Sequence, residues 1–212
     1  MDRAKKDCIL RAAGKAFTRL GFKKASVDEI AREAGVAKGT VYLACESKED
    51  LFYQTVHREV RAWVAEISRL IDPRVPADQL LFSAAQAGVA YLDQRPLVRE
   101  LLFGRMHAML PKWTDRLDEL RALGQANVVE ILRLGVKQGR FHDRLDLEET
   151  ARLLQDLQLA TLVFDDRKRP GREERLARRG KAAFDLVLDG LRVRQPQAPT
   201  HPSRTDAPRR RS

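Results

Sequence analysis

The chain has 212 residues, 43% of them hydrophobic, enough to pack a small head and a larger body. Its formal net charge of +10, carried by 29 Arg and 11 Lys against 30 acidic residues, favours contact with a polyanion, although an Arg-rich composition also reflects a GC-rich coding sequence. No apolar run follows the basic start and none reaches membrane-spanning length. Cys8 and Cys45 show neither a CxxC spacing nor a matching His cluster, so a cytoplasmic protein with no cofactor, no metal site and two free thiols is expected.

From Met1 to Val27, eight basic residues (Arg3, Lys5, Lys6, Arg11, Lys15, Arg19, Lys23 and Lys24) stand against Asp2 and Asp7, a net of +6. Ile9, Ala13, Ala16, Phe17 and Leu20 recur among them at helical spacing, predicting a helix with one apolar stripe and one basic face. Ser26 with Glu29 reads as a capping box that opens a second helix. Val27, Ile30, Ala31 and Ala34 form its apolar face, Gly35 ends it, and Val36 plugs the angle to the next helix. Lys38 to Leu43 is short and mixes small, polar and aromatic groups, the composition of a helix laid against base edges and phosphates. Ser47 with Asp50 opens a fourth helix, whose pattern from Leu51 through Trp63 and Ile67 runs to Asp72 and Pro73.

Further helices are predicted at about 77–94, 96–109, 114–139, 145–164 and 172–193, separated by Pro and Gly breakers. No alternating strand pattern and no phosphate-binding glycine loop occurs. The expected fold is therefore all-α, with about nine helices: a helix-turn-helix head over 1–47, a regulatory and dimerisation body over 48–194, and a disordered basic tail over 195–212 that is rich in Pro and Arg.

The string from Ile30 to Tyr42, I-A-x-x-A-G-V-x-x-G-T-V-Y, followed by S-K-E-x-L from Ser47, resembles the amino-terminal signature of the TetR family of bacterial transcriptional regulators. Ala12, Ala13, Ala16, Phe17, Gly21 and Phe22 fit the preceding helix of the same signature. Beyond about residue 52 the similarity is one of helix layout only. The resemblance implies a homodimer that binds double-stranded DNA, with contacts from Ser26, Lys38, Gly39, Thr40, Tyr42 and Lys48. Two departures stand out: Ala37 replaces the usual Ser before the reading helix, and Leu43, Ala44 and Cys45 follow Tyr42 where aromatic residues are common.

The last two helices carry apolar stripes wider than one side of a small bundle needs. In the family such helices pair with their twins, which makes Leu154, Leu157, Phe164, Phe184, Val187 and Leu188 the expected dimer interface. Trp63, Phe82, Gln86, Tyr91, Phe103, Met106, His107 and Trp113 are the candidate lining of a pocket for a small apolar or aromatic effector. The alternative is a filled body that serves only as a dimerisation scaffold or recruits a protein partner. His57, His107, His142 and His201 are scattered, and Asp165 and Asp166 point to different sides of a helix, so no enzymatic constellation is read.

Overall fold

The computed structural model describes residues 1–103, 114–163 and 170–192, with only the helical backbone for residues 100, 102, 103, 114, 162 and 163. The described residues form nine helices: α1 (Arg3–Lys24), α2 (Val27–Glu33), α3 (Lys38–Tyr42), α4 (Lys48–Ser68), α5 (Ala77–Gln94), α6 (Pro96–Phe103), α7 (Thr114–Lys137), α8 (Leu147–Val163) and α9 (Arg172–Leu191). Among these residues there is no strand, only an isolated bridge between Phe141 and Arg192. The fold is all-α, as the patterning predicts.

The helix starts follow their caps. Ser26 Oγ accepts from the Glu29 N–H at 3.2 Å and Ser47 Oγ from the Asp50 N–H at 3.0 Å. The capping box at Ser26 is only half made, because the Glu29 carboxylate turns instead to Arg19 of α1 at 3.0 Å. Ala37 offers no side-chain cap to α3, as its identity predicts. Helix α2 ends on Gly35 at φ 66°, a left-handed conformation that a side chain would strain. Helix α4 stops at Ser68, short of the expected Asp72, because Asp72 accepts from the Arg74 N–H at 2.9 Å in a turn and Pro73 lacks a donor.

Beneath the short helices, Phe17, Phe22 and Phe52 form an aromatic cluster with edge-to-face contacts at 5.1 and 5.4 Å. Gly21, at φ 73°, supplies the turn that brings Phe22 back onto it. The core around this cluster does not end with α3. Ile9, Ile30, Val41, Leu51 and Val56 continue without a break into Leu92, Val98, Leu101, Leu117, Leu120 and Leu159 of the body. A second core at the far end joins Ala77, Leu81, Leu132, Phe141, Ala151, Leu188 and Leu191. Helix α4 is the axis common to head and body: it packs on α1 at one end and along α7 for the rest.

Candidate functional site

The reading unit is α2 and α3, held in place from behind. Val41 is fully buried and anchors α3, while Cys45 packs below it and donates its thiol to the Val41 carbonyl at 3.2 Å. Burial pushes the Cys45 thiol up to about 11, so it stays protonated and unreactive at neutral pH. Cys8 and Cys45 are both free thiols.

The outward face carries the predicted contacts. Lys38, Gly39 and Tyr42 are exposed and Thr40 is half-buried, whereas Ser26 is an exposed cap whose hydroxyl proton remains available to a phosphate. Lys38 Nζ lies 2.8 Å from Asp28, a carboxylate that a phosphate would have to displace. Its hydrogen bond to Asp28 raises the Lys38 pKa, so the ammonium is charged throughout the neutral range. Lys48 has a structural share as well: Nζ donates to the Lys23 carbonyl at 3.2 Å and sits 4.7 Å from the Phe22 ring centre, tying α4 to the end of α1. Leu43 is 79% exposed beside Tyr42, consistent with the missing aromatic at that position.

The basic flank of α1 is partly neutralised from within. Arg19 pairs with Glu29 and Glu33, Arg11 with Asp7, and Asp7 again with Arg58 of α4 at 2.5 Å. The Arg58 guanidinium holds the Asp7 carboxyl below its ordinary range. Lys5, Lys15, Lys23 and Lys24 remain exposed on the same helix.

At the first turn of α4, a polar cluster joins the head to α7. Asp50, only 9% exposed, accepts from the Glu46 N–H at 3.1 Å, from Gln54 at 2.7 Å and from Arg116 of α7 at 3.0 Å. Tyr53 donates to Glu119 while the Arg116 guanidinium lies over its ring at 4.6 Å. The single-sequence pattern gave no hint of this link, since Asp50 reads as an ordinary first-turn acid.

Further along α4, a cavity of about 50 Å³ lies among α4, α5, α6, α7 and α8. Val56, Val60, Trp63, Tyr91, Leu92 and Leu159 form much of its wall. Trp63 and Tyr91, both expected there, stack at 4.6 Å. Two other expected residues lie elsewhere. Phe82 packs on Phe184 at 4.9 Å, because its turn of α5 faces α9, and Gln86 is exposed to solvent. Met106, His107 and Trp113 lie outside the described residues, as does the side chain of Phe103. Gln155 and Gln158 also line the cavity and were not foreseen. Their three-residue spacing within a Leu-rich helix, which puts both on one face, was the available signal.

On the last two helices the expected interface residues divide. Leu188 is buried in the far core, and Leu154, Phe184 and Val187 are half-buried against that core; Phe164 lies outside the described residues. The width of the α9 stripe therefore partly reflects packing within one chain. Leu157 is 38% exposed, and Leu153 at 59% and Leu186 at 76%, neither foreseen, add the larger solvent-facing apolar surface.

Residues 9–55 match the family model described as bacterial regulatory proteins, tetR family. The HTH-type transcriptional repressor KstR2 of Rhodococcus jostii is 25% identical over 194 residues, covering 86% of this chain and 89% of that protein. The fatty acid metabolism regulator protein of Bacillus subtilis is 24% identical over 190 residues, covering 86% and 93%. Among solved structures, the transcriptional regulator FadR from Bacillus subtilis in complex with stearoyl-CoA superposes with a TM-score of 0.69 at 19% identity, covering 87% of this chain and 98% of that one.

Proposed function

The chain belongs to the TetR family of bacterial regulatory proteins and is a helix-turn-helix transcriptional regulator, and from that premise we propose that it is a homodimeric repressor released from a palindromic operator by a small apolar effector. One observation carries this reading. Helix α4 supplies Lys48 beside the reading unit and Val56, Val60 and Trp63 to the cavity wall, so a displaced wall moves the head. Residues 1–47 are the reading head, with Ser26, Lys38, Gly39, Thr40, Tyr42 and Lys48 on DNA; 48–194 are the regulatory body, and the basic tail over 195–212 adds sequence-independent attraction. Two copies join through Leu153 and Leu157 of α8 and Leu186 of α9, which sets the spacing of the heads. The apolar cavity wall, together with one relative named for fatty acid metabolism and a structural neighbour holding stearoyl-CoA, supports an acyl-like or otherwise apolar effector.

Footprinting on the DNA upstream of the gene tests the DNA half. A protected palindrome is expected, lost in Tyr42→Ala and Thr40→Ala, and the absence of any protected site contradicts it. Leu153→Asp with Leu186→Asp should sediment as a monomer and bind the operator far more weakly; unchanged sedimentation removes the interface. The second reading, an effector-independent DNA-binding dimer, is favoured by one fact: 50 Å³ holds only a few water molecules. Apolar compounds that raise the melting temperature decide for the effector, because only a ligand bound to the folded state stabilises it.

A further inference from the structure

Gln155 and Gln158 of α8 meet their neighbours in the same way. The Gln158 side chain crosses α5 at Gly88, where a Cβ would stand 2.0 Å from its Nε2, and that nitrogen donates to the Ala85 carbonyl at 3.0 Å. The Gln155 side chain crosses α7 at Gly124, where a Cβ would stand 2.9 Å away, and donates to the Arg121 carbonyl at 3.3 Å. In each case the carboxamide lies in a notch left by a glycine and bonds the carbonyl three residues before it. Both glutamines and both glycines line the cavity.

The cavity cannot admit an effector as it stands, since ligand sites are several times larger than 50 Å³. Val56, Val60, Leu92 and Leu159 are apolar side chains packed in the core and yield only at a packing cost. The glutamines are long, flexible and held by one donated bond each. They are the groups that can withdraw. What they leave is a chamber walled mostly by apolar side chains among the described residues. Tyr91, another lining residue, has a buried hydroxyl with no hydrogen-bond partner among the described residues. Arg121 is the one charged residue among the described lining residues, and it is exposed. The Arg95 guanidinium lies over the Tyr91 ring at 5.6 Å but does not line the cavity, and a charged group brought to the inner wall would be desolvated, whereas a carbonyl, ether or hydroxyl oxygen would find donors.

Resting on the effector reading above, we infer that Gln158, with Gln155 beside it, is a removable plug and the specificity-determining residue of the cavity: its carboxamide leaves the Gly88 notch on binding and selects an uncharged apolar molecule that bears an acceptor oxygen. Cumene, acetophenone and benzoate have nearly one shape and differ in being apolar, neutral with an acceptor oxygen, and anionic. Calorimetric titration of the full-length dimer should show acetophenone binding at least tenfold tighter than the other two. Gln158→Met keeps the length of the side chain and removes the donor, so acetophenone should fall to the level of cumene while cumene is unchanged or tighter. Gln155→Met provides a second variant if loss of the Ala85 bond unfolds the first, and should reduce the same preference. Equal binding of the three by the wild type, or a preference that survives both substitutions, overturns the plug and leaves the effector reading standing. Failure of all three to bind the wild type or either variant overturns both.

Discussion

Head and body are both helical but are held together by different means. In the head, α1 to α3 and the start of α4 close around buried apolar side chains, Phe17, Ile30, Val41 and Phe52 among them, none more than 1% exposed. In the body, long helices are joined by polar groups of distant origin: Asn127 of α7 donates to the Val64 carbonyl at 2.9 Å, and Gln138 bonds the 73–77 turn from both ends of its carboxamide. Asp78 of α5 is gripped by Arg140 at 2.8 Å and Arg192 at 2.7 Å. A dense apolar unit keeps one shape and can read DNA. The body adds separate polar links to its apolar cores, and such links can be exchanged singly, which suits the effector site proposed above.

The contrast can be broken most forcefully at Phe52. Phe52→Ala removes the ring shared by both edge-to-face contacts and should cost about 3–5 kcal/mol, with loss of operator binding, as read by denaturant unfolding and gel shift. Asp50→Ala cuts the head-to-body cluster and leaves Arg116 and the Glu46 N–H without it; about 2–3 kcal/mol is expected. Unfolding monitored separately at the two ends should show the head loosening first. If Asp50→Ala costs nothing, the head is autonomous and the continuous core alone joins it to the body.

Asp78→Asn tests a body link and should cost about 1 kcal/mol, less than a buried pair because both arginines are about half exposed. Its pH dependence has a defined sign. Burial works to raise the Asp78 carboxyl, but Arg192 and Arg140 outweigh it and hold the pKa below the ordinary 3.8. The contribution is therefore complete above that value and is lost as pH falls through the lowered one. Wild type and Asp78→Asn should differ at neutral pH and converge in thermal melts as pH falls through the lowered pKa.

The smallest effect separates two caps. Ser47→Ala should cost about 1 kcal/mol. Ser26→Ala should cost a similar amount in stability but add a loss of DNA affinity under the proposal that its hydroxyl meets phosphate. Equal affinities of the two variants would remove Ser26 from the DNA face.

How much was legible without the structure depends on the range of the forces involved. Ser26, Gly35, Ser47 and the apolar spacing of α1 to α4 are local instructions, carried by caps, a left-handed turn and helical period, so the head and the helix order could be read directly. The absent cap at Ala37 was equally local and is seen as expected. The half-made box at Ser26 was not legible, because the competing Arg19 comes from another helix. Nor could the stripe on α9 reveal which of its residues face inward: Leu188 and Leu186 both look apolar, yet one is 6% and the other 76% exposed.

By itself, then, the sequence determined the helices and their order, set by interactions within a few positions along the chain. Only the tertiary structure decided which side chains share a cavity, which glutamines fill the glycine notches, and that the core of the head runs on into the body. Those depend on the angle and depth at which separate helices meet, and packing fixes these only when the whole chain has folded.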